Sequence, residues 1–313
     1  MQNHLLFPFP PFTATEDRTM ARATTFTNWI GERTRTIWAA LRAMEPPTGR
    51  PEWRRRSRTT ELRRAVDRAE FQVYYQPIVA LTSGRVAGFE ALVRWQHPQR
   101  GLLPPGEFLP LAESSGLIGP ISYGVLREAC RQLATWQAQW PHRSPLTISV
   151  NLSATQLPQP ELVAQTLRET GLAPQQLKIE IVENTLAPAA EAEATLHALK
   201  ALGVRLSIDD FGTGYSSLSY LYRFPADTLK IDRAFVSRLG SGPVSAAIIT
   251  AIIQLARSLG MDTVAEGVET AEQRDLLQAL GCDYGQGWLF APALTSPQAA
   301  ALLALLPDLW IAE

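Results

Sequence analysis

Seven strand-like runs of the sequence end on a group that can bind a cation or move a proton. Glu90 follows GF, Asn151 follows TISV, Glu180 follows LKI, and Asp209 and Asp210 follow RLSI. Lys230 follows TL, Glu266 follows TVA, and Gln286 sits in the last run, YGQGWLF. One polar strand end taken alone is a solvated cap. Seven on neighbouring strands would gather five carboxylates in one mouth, repelling by ~3 kcal/mol per pair at about 5 Å and an effective dielectric of about 20. Such a cluster persists only where protons or cations neutralise it. Oxygen ligands of the Glu, Asp and Asn type suit hard divalent cations such as magnesium or manganese, not zinc. Adjacent Asp209 and Asp210 point to opposite faces of a continuing strand, but the flexible FGTGYSS directly after them lets the chain turn so that both address metals. One carboxylate bridging two ions is the arrangement used for in-line phosphoryl displacement.

The elements that must position these groups follow from the pattern around them. Apolar, β-rich runs occur at FQVYYQPIVAL, RVAGFEALVRW, LTISVNLS, LKIEIVE, VRLSIDDFG, DTLKIDRAF, MDTVAEGVE and YGQGWLF. Amphipathic helices are predicted between most of them, at Pro120–Trp140, Pro160–Thr170, Ala189–Leu202, Pro243–Leu259 and Thr270–Leu280, with a last one at Ser296–Leu306. Gly171, Gly203, Gly260 and Gly281 stand where helices should stop. Strands alternating with helices imply βαβ units and a mainly parallel sheet. Eight strands in this length fit a (β/α)8 TIM-type barrel, whose strand C-termini converge on one rim. The short LTSGR between the first two runs reads as a hairpin, which makes one strand antiparallel.

The chain has 313 residues, 46% hydrophobic and 19% charged, so it can fill a sizeable core and is neither collagen-like nor disordered as a whole. Its net charge of -1 gives no long-range pull on phosphates, which argues against a binder of nucleic acid duplexes. That total is a cancellation. Residues 1–60 carry ten Arg against five acids, while residues 61–313 carry nineteen basic against twenty-five acidic groups. We therefore divide the chain into a basic N-terminal arm and linker (1–60) and an acidic body (61–313). Within the arm, Phe26, Ile30, Ile37, Leu41 and Met44 recur at helical spacing among Arg33, Arg35 and Arg42. Such a helix fits a protein partner or an anionic membrane surface; the plainer alternatives are a helix docked on its own body or a partly ordered tail. Arg54, Arg55 and Arg56 read as a solvated linker, His97 and His142 as surface or loop histidines. Two cysteines, Cys130 and Cys282, read as buried free thiols in a reducing, cytoplasmic setting.

Taken in order, YYQPIV, EALVRW, SVNLS, EIVEN, IDDFGTGYSSLSYL, LKIDRAFV, AEGVET and GCDYGQGWLF resemble the EAL-domain cyclic-di-GMP phosphodiesterases. The resemblance runs over roughly residues 61–306, far beyond the three name-giving letters. It implies a (β/α)8 barrel with an antiparallel first strand, often a homodimer, that opens cyclic di-GMP to linear pGpG with two Mg2+ or Mn2+ ions. By the same resemblance, Glu90, Asn151, Glu180 and Asp209 would hold the first metal, with Asp209 bridging and Asp210 on the second. Lys230 would orient the nucleophilic water, Glu266 would be the general base or water-positioning group, and Glu269 would support the metal site. Glu183 would anchor the DDFGTGYSS loop, and Gln76, Arg94 and Gln286 would contact the substrate or position the site.

Elementary chemistry agrees with those roles. A doubly anionic diester is rejected by a bare carboxylate ring, so metals must supply the electrophile. Arg94 can pair a phosphate bidentately. Lys230 is one of three lysines beside twenty-six arginines, a compact point charge in a chain that otherwise prefers guanidinium. The sequence departs from the family pattern at Val182, where Thr is usual, and at Trp288, where Tyr is usual; neither change removes a ligand or the base. The alternative is a catalytically weak EAL-type receptor that holds cyclic di-GMP and signals through the arm.

Overall fold

The computed structural model describes residues 58–141, 145–152, 159–182, 190–212, 224–240 and 242–305. The arm helix, Arg54–Arg56, His142, Glu183 and most of the DDFGTGYSS loop lie outside them. Among the described residues, eight strands close into a barrel: β1 (Phe71–Ala80), β2 (Val86–His97), β4 (Thr147–Asn151), β5 (Leu177–Val182), β6 (Arg205–Phe211), β7 (Thr228–Ile231), β8 (Asp262–Ala265) and β9 (Tyr284–Gly285). β1 pairs antiparallel with both β2 and β9, and the other barrel pairings are parallel. The LTSGR hairpin thus produces the antiparallel first strand that the sequence implies.

The helices fall where periodicity puts them: α3 (Ile118–Gln139), α4 (Pro160–Thr170), α5 (Ala190–Ala201), α7 (Pro243–Ser258), α8 (Ala271–Ala279) and α9 (Ser296–Leu305). Gly171 ends α4 in the left-handed conformation, φ +68°, which costs a glycine little. α8 opens with a capping box, Thr270 Oγ1 accepting from Gln273 N and the Gln273 side chain accepting from Thr270 N. Among the described residues no helix is long and apolar enough to cross a membrane.

Alternation along each strand splits it into two faces. Outward residues such as Ile148, Val150, Leu177, Ile179, Leu229 and Ile231 are fully buried under the helices. Trp136 of α3 fills the space over β1 and β2, edge-on to Tyr75 at 4.9 Å between ring centroids and 5.0 Å from Phe89. Cys130 and Cys282 are free and buried, as expected.

Four local features differ from expectation. Helix α1 (Arg58–Asp67) begins in the stretch read as linker and buries Leu62 and Ala65 against Trp95, Leu103, Phe108 and Ile118. A short strand, β3 (Gly101–Leu103), folds back on the end of β2, followed by the short helix α2 (Leu109–Ser114). His97 is not a surface histidine. It is 2% exposed, its Nδ1 accepts from Gln99 N and Arg100 N, and Nε2 lies 3.0 Å from Glu61 Oε1. With Nδ1 accepting, the ring proton sits on Nε2 and is donated to Glu61 of α1. Finally, the LKIDRAF and YGQGWLF runs are only partly strand: Arg233–Val236 form the short helix α6 with Asp232 as its N-cap, and Gln286 lies just beyond β9.

Candidate functional site

Strand register brings the polar ends together. Asn151 on β4 pairs with Glu180 on β5, while Glu90 on β2 stands beside Ser149 of β4. Glu90 is buried; its Oε1 accepts from Asn151 Nδ2 and its Oε2 from Gln286 Nε2, both at 2.5 Å. Gln286 Nε2 also donates to Gln76 Oε1 at 3.0 Å, and Gln76 Nε2 donates to the Ala291 carbonyl. Asn151, Glu90, Gln286 and Gln76, four of the named residues, therefore form one chain of hydrogen-bonded side chains running from β4 through β2 to the end of β9 and β1. Gln286 Oε1 is buried with no donor among the described residues.

Lys230 stands at the centre. Its ammonium is 1% exposed and lies 2.7 Å from Glu180 Oε2, 2.5 Å from Glu266 Oε1, 3.1 Å from Asp209 Oδ1 and 3.8 Å from Glu90 Oε2. Burial alone would lower this group, yet Glu180, Glu266, Glu90 and Asp209 together hold its pKa well above the usual lysine value. The acids respond in the opposite sense. Burial first, then Glu90 and Asp209, raises the Glu180 carboxyl well above the carboxylate range against the pull of Lys230. Burial, with Asp209 and Glu90, pushes Glu266 up to about 8 although Lys230 opposes it. One lysine does not neutralise this many acids, so the cluster takes up protons.

Asp209 and Asp210 reach the site together by a route other than the one expected. The chain does not wait for the loop to turn. The β6–β7 register slips between Ile208 and Phe211, and Asp210 adopts a left-handed backbone, φ +55°. Aspartate tolerates that conformation better than most residues, and the bulge re-aims its side chain. Asp210 N donates to Asp209 Oδ1 at 3.0 Å. Carboxylate oxygens of Asp209, Asp210 and Glu266 lie within 4.8 Å of one another, close enough to share a metal ion.

The remaining predicted residues sit further out. Arg94, four residues past Glu90 on β2, donates to the Val93 carbonyl and lies 5.6 Å over the Tyr74 ring. Glu269 is paired with Arg233 at 2.8 Å on the exposed rim, outside the acid–lysine knot. Asp232 escaped the sequence reading. It stands two residues after Lys230, a spacing that was the available signal, and it hydrogen-bonds Asp210 and helps raise that carboxyl after burial and Asp209. Lower in the barrel, Lys178 is buried on β5 with Nζ donating to Thr228 Oγ1 at 3.0 Å.

Comparison with known proteins places this geometry. A profile of the EAL domain family matches residues 59–293. The bifunctional diguanylate cyclase/cyclic di-GMP phosphodiesterase MucR of Pseudomonas aeruginosa is 46% identical over 252 residues, which are 78% of this chain and 36% of that protein. The solved PaMucR phosphodiesterase, a c-di-GMP complex, superposes with a TM-score of 0.73 at 45% identity, covering 77% of this chain and 99% of that one. The EAL enzyme Bd1971 in its cAMP and cyclic-di-GMP bound form gives 0.74 at 34% identity, covering 78% and 67%. The chain spans roughly a third of the length of several curated relatives that it matches.

Proposed function

The chain belongs to the EAL domain family, and on that footing we propose that it is a metal-dependent phosphodiesterase that hydrolyses cyclic di-GMP to linear pGpG. The observation that carries this reading is the buried Lys230 ammonium enclosed by Glu180, Glu266, Asp209 and Glu90, beside an Asp209–Asp210–Glu266 trio of metal-sharing dimensions. An all-oxygen donor set whose carboxyls lean toward protonation fits hard divalent cations, which would displace those protons. Glu90, Asn151, Glu180 and Asp209 would hold one Mg2+ or Mn2+, and Asp209 with Asp210 the other. The ions would supply Lewis-acid stabilisation of the phosphoryl oxygens and lower the pKa of water.

The chain's own residues do the rest. Glu266 reaches Lys230 and the Asp209–Asp210 pair at once, so its carboxylate is placed to take a proton from an attacking water. Lys230 offsets the negative charge that gathers when an anionic diester enters an acidic mouth. Asn151 and Gln286 fix the Glu90 carboxylate from two sides, Gln76 accepts a second bond from Gln286, and Gln286 Oε1, buried without a partner among the described residues, offers an acceptor for substrate. Arg94, at the outer end of β2, can pair with a phosphate; Glu183 and Glu269 would act indirectly, by anchoring the β6 loop and holding the rim.

Incubation with cyclic di-GMP and Mg2+ or Mn2+, resolved chromatographically, tests the reading: pGpG should appear, and Asp209→Asn should abolish it. Tight nucleotide binding without product would instead make the protein a receptor.

A further inference from the structure

Among the described residues, Trp288 is the one exposed aromatic side chain, at 70% exposure. Tryptophan carries a large apolar surface, and a monomeric fold gains nothing by leaving it in water. Its position is what gives the exposure meaning. It follows the C-terminal end of β9, so it lies on the barrel face that bears the acid–lysine knot. Two residues earlier, Gln286 donates to Glu90; three residues later, the Ala291 carbonyl accepts from Gln76. The turn carrying Trp288 is therefore tied at both ends to glutamines of the site.

That turn is also rigid. Val268 N donates to Gln286 O and Leu289 N to Val268 O, both at 3.0 Å, while Phe290 N and Ala291 N both donate to Gly287 O. Gly287 lies so close to the Val268 backbone that a β-carbon there would sit 2.2 Å from the Val268 carbonyl oxygen. The backbone on both sides of Trp288 is thus locked against the Glu266–Glu269 loop. The indole loses little freedom on contacting a ligand, because its pedestal is already ordered.

We propose that Trp288 is a substrate-binding residue that stacks on one purine base of the dinucleotide and so sets affinity for purine-bearing diesters. The proposal rests on the phosphodiesterase reading above and deepens it. An indole face stacks well on a purine, whereas the acids and amides below it address only phosphate, metal and water.

The test is steady-state hydrolysis of cyclic di-GMP in the presence of Mg2+, with wild type, Trp288→Ala, Trp288→Leu and Trp288→Phe. Calorimetric binding to the same set in a Glu266→Gln background gives affinity without turnover. Trp288→Ala should raise KM and Kd by about 5- to 150-fold, the range for one stacked base, and leave kcat within about twofold. Trp288→Phe should keep most of the affinity, while Trp288→Leu should behave like alanine, separating stacking from plain apolar cover. An exposed side chain leaves the thermal midpoint unchanged, so each variant's fold is checked directly. Wild-type affinity in Trp288→Ala, or leucine doing as well as phenylalanine, would overturn the proposal alone. Failure of the wild type itself to bind or cleave cyclic di-GMP would overturn it together with the phosphodiesterase reading.

Discussion

Replacing Lys230 by methionine keeps the apolar stem and deletes the one positive charge inside the acid cluster. The structure sets the size of the effect. Four carboxylates lie 2.5 to 3.8 Å from the ammonium, and at an effective dielectric of about 20 each contact is worth about 4–7 kcal/mol before desolvation. Most of that is returned, because the buried charges were costly to desolvate and Glu180 and Glu266 can take up protons once the lysine is gone. Breaking a buried pair by removing one partner typically leaves a net loss of about 3–5 kcal/mol. At about 2–4 °C per kcal/mol for a domain of this size, the metal-free variant should unfold about 6–20 °C below wild type. A bound divalent cation supplies the missing charge, so saturating Mg2+ or Mn2+ should shrink the deficit by half or more. Turnover should nevertheless fall about 10²- to 10³-fold, since the cations do not replace an electrostatic group aimed at the reacting centre. Thermal melts of both proteins with chelator and with cation decide the matter. A variant as stable as wild type in chelator, or equally destabilised with and without cation, would refute a cation-replaceable role for Lys230.

Gly287→Ala should cost at least about 2 kcal/mol and impair binding, because its methyl would meet the Val268 backbone at 2.2–2.7 Å; a wild-type melt would contradict the packing. The metal-free protein should lose stability as pH rises. Burial pushes Glu266 up to about 8 when folded, against the ordinary glutamate value of 4.5 when unfolded, so the folded state holds the extra proton between those values. Stability present below the unfolded value is then lost toward pH 8, and melts in chelator should fall across that window, while a rising curve would reverse the sign. His97→Ala leaves the Gln99 and Arg100 backbone N–H groups and Glu61 without their buried partner, and should lower stability by about 1–3 kcal/mol, read by denaturant titration. Lys178→Met should be neutral or stabilising, since burial disfavours that ammonium and, among the described residues, Nζ has one hydroxyl acceptor and a ring contact with Tyr284; a loss above about 2 kcal/mol would show a structural charge there.

Much of the site was legible because a barrel converts position along a strand into height above its floor. Glu90, Asn151, Glu180, Asp209, Lys230 and Glu266 each follow a short apolar run, and closure of the sheet brings strand ends together whatever their separation in sequence. What escaped depends on contacts that alternation does not encode. His97 looked like a loop residue because HPQRG carries turn signals, yet it is the very turn that folds β3 back and seals the imidazole beneath it. Helix α1 was hidden by its arginines; Leu62 and Ala65, with the partly buried Val66 beside them, face the core, and so narrow a stripe does not stand out among so many charges. The bulge at Asp210 was likewise invisible, since adjacent aspartates in a strand read as one inward and one outward group until the register slip is seen.

The charge balance of the body acquires a physical meaning from this geometry. An isolated carboxylate can be kept ionised by a hydrogen bond, but five buried together in one barrel mouth with one lysine cannot all be: burial first, and then the neighbouring carboxylates, raise the carboxyls of Glu180, Asp210 and Glu266. Relaxing the strain by spreading the acids apart would require breaking strand pairings that closure makes mutually dependent. The barrel therefore stores an unfavourable arrangement that only protons or cations relieve. Protons suffice for folding. They do not suffice for binding an anionic diester, because a neutral carboxylic acid attracts a phosphate far less than a divalent cation does. The same crowding that costs the metal-free protein stability is thus what makes cation binding strong, and stability and metal affinity should change in opposite directions when any one of these acids is removed.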